Sequence, residues 1–101
     1  MDVEGLTGSA QEANLQVGEA IGMANQAIDA IRAATEMIES ATGIVTSMLG
    51  SSSARTLGEY FGALSTARQT IDNLVPELEN VIEKLSAGQA SGERFIVLIN
   101  S

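Results

Sequence analysis

Apolar residues recur along this chain at the spacing of a coiled coil. With Val17 taken as heptad position a, the a and d positions are apolar from residue 10 to residue 48, and d is mostly alanine. A second stretch repeats the pattern from Leu57 to Leu85, with larger side chains at most positions. Repeats sustained over this length predict two long helices that pack against each other.

Capping signals predict the extent of the first helix. Ser9 followed by Glu12 is typical of a capping box, and no proline interrupts the chain before Gly50. These signals predict helix one over residues 9–49. The serine-rich cluster that follows predicts a turn over residues 50–55.

A second set of signals predicts the other helix. Thr56 followed by Glu59 forms a second possible capping box, and Gly88 is placed to end the helix. The sequence therefore predicts helix two over residues 56–87. Pro76 removes one backbone hydrogen bond, so we expect it to kink or split this helix.

A short turn makes the two helices antiparallel neighbours. Residues whose numbers sum to about 105 then face each other, which sets Leu64 against Ala41 and Ile71 against Ala34. Large side chains would interdigitate with small ones. The predicted fold is a coiled-coil-like, all-α hairpin of two helices.

A further apolar stripe occurs at position e. Since a lone hairpin would leave it in water, we expect it to mediate self-association, with two hairpins forming a four-helix bundle. The alternative is that these residues are the wide flank of an ordinary core helix. The stripe consists of Ile21, Ile28 and Leu49 on helix one and Phe61, Val75 and Ile82 on helix two.

Arg68 lies in the middle of this stripe. One interpretation is a polar residue that fixes register at the self-association interface, paired with Glu36 or Glu39. The other is an arginine whose stem covers apolar surface while its head stays in water.

Residues 88–101 differ from the rest of the chain. A linker-like stretch precedes five consecutive apolar residues, mostly β-branched or aromatic, which predict a short strand and a docking segment for a partner. We expect it to be covered by the start of helix one, by a symmetry mate's tail, or by another protein's sheet edge. These residues are Phe95, Ile96, Val97, Leu98 and Ile99.

Composition narrows the possible functions. The 101 residues suit a single domain, 1–101, and contain no cysteine and no histidine. That excludes a disulfide framework, a thiolate or imidazole zinc site and the commonest catalytic bases. Pairs such as Glu36 with Glu39 and Glu79 with Glu83 are expected to form a solvated face, so we predict no catalytic residue, metal or cofactor.

Charge and targeting signals complete the picture. A net charge of −8 disfavours nucleic acid and anionic membranes as partners. The acidic N-terminus lacks the basic and apolar regions of a signal peptide. We expect the cytoplasm, with export by a route independent of a signal peptide as the alternative.

The size, the hairpin layout and the alanine-rich seam over residues 9–87 resemble the ESAT-like Trp-x-Gly family of type VII secretion substrates and related small actinobacterial hairpin proteins. The turn Leu49-Gly50-Ser51 has the glycine of that motif without its tryptophan. The family's export signal, Tyr-x-x-x-Asp/Glu near the end of helix two, is absent, since Tyr60 lies at the other end and Leu64 replaces the acid. The resemblance implies a hairpin that dimerises.

These observations predict a non-enzymatic protein–protein interaction module. It would self-associate and act as an adaptor, a chaperone or a secretion-associated partner, with a further protein bound through the tail. The alternative is a structural scaffold that forms a larger multimer or filament. An enzyme or a carboxylate metal site is the third and weakest hypothesis.

Overall fold

The computed structural model describes residues 2–101, and most of them are helical. No strand occurs in that part of the chain. This confirms the predicted all-α class. The helices are α1 (Val3–Leu49), α2 (Arg55–Asp72) and α3 (Leu74–Ile99).

The chain divides into two compact units. The turn unit is residues 28–77, and the terminal unit combines residues 2–27 with residues 78–101 in the part of the chain that the structure describes. In each unit two helical segments run antiparallel. For each pair of residues bonded across the two segments, the two residue numbers sum to 103 or 107, which confirms the predicted register. These contacts join Thr35 to Asp72 and Glu39 to Arg68 in the turn unit, and Thr7 to Asn100 and Asn14 to Gln89 in the terminal unit.

The predicted start of helix one at Ser9 is wrong, because α1 begins at Val3. The Asp2 Oδ1 atom accepts a hydrogen bond of 2.7 Å from the Gly5 amide, which satisfies one of the free N–H groups of the first turn. Asp2 therefore caps the helix, and Ser9 lies inside it.

The other helix boundaries differ for local reasons. The turn ends one residue early, since α2 begins at Arg55 with Ala54 as its N-cap and no side-chain cap, so the predicted Thr56 capping box does not form. The expected split occurs at Asn73, ahead of Pro76. A proline ring clashes with the carbonyl four residues earlier, and in the first turn of α3 its missing N–H needs no partner.

On α2 and α3 the packed face is formed by the residues at heptad positions a and e, and not by those at a and d. The d residues Tyr60, Leu74 and Val81 are exposed. On α1, Ile28 at position e is one of two buried residues between residues 2 and 101, the other being Val45 at position a. The covered face of α1 is wider, because its d alanines are half-buried too, namely Ala20, Ala27, Ala34 and Ala41. The larger side chains at its e positions, Ile21, Ile28 and Leu49, remove more apolar area from water than alanine does.

The expectation that the e stripe lies in water is therefore wrong. Within their own units, Ile28 is buried, and the other apolar members are half-buried. This burial agrees with the alternative, the flank of an ordinary core helix, and the role of the stripe in self-association stays a prediction. The half-buried members are Ile21, Leu49, Phe61, Val75 and Ile82.

The predicted linker and strand over residues 88–101 are also wrong, because α3 continues through Gly88 to Ile99. The 3–4 spacing of its covered face continues there: Gly92, Ile96 and Ile99 are half-buried in the terminal unit. The start of α1 provides the cover, and the Asn100 amide donates to the Thr7 hydroxyl at 3.0 Å. A packing partner at helical spacing overrides β-propensity.

This arrangement predicts that substitutions of neighbouring apolar residues near the end of α3 have different effects on stability. Ile96→Ala should lower the free energy of unfolding by about 1–2 kcal/mol, because Ile96 packs within the terminal unit. Leu98→Ala, at a position 71% exposed, should change it by less than about 0.5 kcal/mol. Urea unfolding followed by circular dichroism measures both, and equal losses would contradict the helical register.

Candidate functional site

Polar clusters suited to metal chemistry are absent from residues 2–101. No group of three or more metal-ligating side chains occurs there, and no polar or charged residue is buried. The predicted acid pairs, Glu36 with Glu39 and Glu79 with Glu83, are exposed on the helix surfaces. The features that distinguish the surface are apolar.

Arg68 pairs with Glu39, one of the two glutamates expected for it. Its Nε atom also lies 3.7 Å from Asp72, whose other carboxylate oxygen accepts a 3.0 Å hydrogen bond from the Thr35 hydroxyl. These side chains are about half exposed, so the network contributes little stability. The network links α1 to α2 within the turn unit.

The exposed apolar surface of the turn unit lies mainly on α1. Met37, Ile44 and Met48 are 74%, 63% and 48% exposed. Between Ile44, Met48, Leu57 and Tyr60 the surface forms an open cavity of about 800 Å³ at the turn. Because α2 lines this cavity too, the apolar surface continues from α1 onto Tyr60.

The same side of α1 carries no charge. We call it the uncharged face. Four of its members are exposed, namely Ala30, Met37, Ile44 and Met48, and two are half-buried, namely Ala34 and Ala41. At 100° per residue its members share a sector of about 80°, whereas Arg32, Glu36 and Glu39 lie about 120° or more from the centre of that sector and Asp29 lies about 100° from it. Beyond Glu39 the chain has no charged residue until Arg55.

A polar layer in the terminal unit was not predicted from the sequence. The Asn14 side-chain amide donates to the Gln89 carbonyl, and the Gln89 side-chain amide donates to the Asn14 carbonyl, each at 3.2 Å. Glycines make room for the pair: a Cβ atom at Gly92 would clash with the Asn14 amide, and one at Gly18 would lie 3.3 Å from Gln89 Nε2. The sequence signal for this layer is that two residues with side-chain amides, Asn14 and Gln89, occupy heptad position e.

The predicted docking segment is divided by its helical geometry. Ile96 and Ile99 are half-buried in the terminal unit, while Phe95, Val97 and Leu98 remain exposed. The three exposed residues are therefore the part of this segment that is most accessible to a partner.

Comparison with protein-family models, curated proteins and solved structures gives no match. Among the described residues, no helix combines the length and the apolar character needed to span a bilayer.

The polar layer predicts opposite effects for two glycine substitutions in α3. Gly88→Ala should raise the free energy of unfolding by about 0.5–1 kcal/mol, because nothing lies near its Cβ position and alanine is the better helix former. Gly92→Ala must displace the Asn14 amide and break its bond to Gln89. We expect it to be less stable than Gly88→Ala by at least about 1 kcal/mol.

Thermal or urea unfolding of the two variants checks this difference. Repeating Gly92→Ala in an Asn14→Ala background should remove most of the penalty, since the clashing amide is gone. Equal stabilisation by both alanines in the natural background would contradict the polar layer.

Proposed function

We propose that this chain is a non-enzymatic protein–protein interaction module that self-associates. In this role two chains form a four-helix bundle, which then acts as an adaptor, a chaperone or a secretion-associated partner. The observation that carries the proposal is the amount of apolar surface left uncovered. Two residues are buried, and twelve large apolar residues are exposed, across residues 2–101.

Surface area supports the same proposal. The chain exposes 7,020 Å². A monomeric protein of 10.5 kDa exposes about 5,400 Å². The surplus of about 1,600 Å² is twice the area, about 800 Å², that each partner buries in an interface of standard size.

The charge of the chain makes the driving force testable. Two copies with a net charge of −8 repel each other, so association has to come from apolar burial. Salt screens that repulsion and should strengthen the dimer. An association held by ion pairs would weaken instead.

Light scattering over a wide concentration range, at low and high salt, tests the proposal. We expect a limiting mass of twice 10.5 kDa, reached at lower protein concentration when salt is added. A mass that keeps growing with concentration would favour the scaffold alternative. A 10.5 kDa monomer under all conditions would contradict self-association.

A further inference from the structure

We propose that the uncharged face of α1 is the surface on which a second copy of this chain docks, with the two α1 helices antiparallel about a two-fold axis at the level of residue 39. This inference rests on the self-association proposed above and assigns its surface and geometry. The e stripe is the weaker candidate for that surface, because Ile28 is buried and the other apolar members are half-buried, whereas Met37, Ile44 and Met48 on the uncharged face are exposed.

The order of large and small residues on the face is self-complementary. A two-fold axis at residue 39 pairs residues whose numbers sum to 78, as a symmetric dimer requires. Each large residue of one copy then meets an alanine of the other, which allows close packing. The pairs are Ala30 with Met48, Ala34 with Ile44, and Met37 with Ala41.

Charge favours the uncharged face over the other sides of α1 as the surface on which a second copy docks. The side of α1 opposite the face carries Arg32, Glu36 and Glu39, and Glu39 is engaged by Arg68. In the docked arrangement Glu39 of each copy points away from the other copy, although it lies level with the axis. An uncharged, self-matching face therefore lets two acidic chains approach.

The extent of the face suits an interface. It runs from Ala30 to Met48, which is about 27 Å of helix. At the Met48 end the open cavity with Tyr60 extends the apolar surface onto α2. Tyrosine and methionine are enriched in the centres of protein interfaces.

Cross-linking tests the geometry, and the absence of natural cysteine makes single-cysteine variants clean probes. A mixture of Ala34→Cys and Ile44→Cys chains treated with a short bis-maleimide should give a covalent dimer. Either variant alone should give little, because like positions are then about 15 Å apart along the axis. Glu39→Cys is the matched control near the axis and should not cross-link.

A charge substitution tests the surface. Met37→Glu should weaken dimerisation by more than about 100-fold, because it buries an unpaired charge from each copy at the interface. Helicity should be retained, since Met37 is exposed in the single chain and glutamate is as good a helix former as methionine. Gln69→Glu adds the same charge at an exposed position of α2 and should leave the dimer intact.

The outcomes separate this inference from the proposed function. A dimer that survives Met37→Glu, or that cross-links Ala34→Cys to itself and not to Ile44→Cys, overturns the inference and leaves self-association standing. A monomeric natural chain overturns both. Loss of the dimer in Met37→Glu together with the Ala34–Ile44 cross-link supports the docking geometry.

Discussion

Each helical segment of this protein has one other segment of the same unit to pack against, and this constraint governs the rest of the structure. One helical neighbour covers a limited sector of a helix. The apolar residues outside that sector remain in water, as Met37 and Ile44 do. Which sector is covered therefore decides which residues are left for other roles.

On the turn-unit part of α1 the circumference divides into three sectors. Positions a and e, with Val45 and Ile28, face the opposite segment of the turn unit and form the small core. Arg32, Glu36 and Glu39 occupy the charged sector, and Glu39 joins Arg68 there. The uncharged face is the third sector. An acidic chain can bring two copies together most easily through the sector that lacks charge.

The features that could be predicted from the sequence are those that depend on heptad periodicity and on residues that end or interrupt a helix. The helical class, the turn after Leu49, the antiparallel register and the interruption near Pro76 all follow from heptad spacing and from what glycine and proline do to a helix. The pairing of Arg68 with Glu39 is one of the two interpretations that the sequence leaves open for this arginine. Predicting these features does not require a choice between competing packing faces.

The choice of face could not be predicted in the same way. Positions a with d and a with e have the same 3–4 spacing, so periodicity alone does not choose between them. The decision depends on how much area Ile28 buries compared with an alanine at d. The strand predicted over residues 95–99 does not form for a related reason. The β-propensity of these residues is a local property, and the packing that Ile96 and Ile99 gain in the terminal unit overrides it. The N-terminal cap was missed because Ser9 gave a stronger motif than Asp2.

The packed face is the central claim, and thiol labelling of single-cysteine variants tests it most directly. Neighbouring d and e positions are compared at a concentration where the chain is monomeric, namely Leu74→Cys with Val75→Cys and Val81→Cys with Ile82→Cys. The account predicts that positions 74 and 81 react faster than 75 and 82, because the d residues are exposed and the e residues are covered. The reverse order in both pairs would place d in the seam and contradict the account.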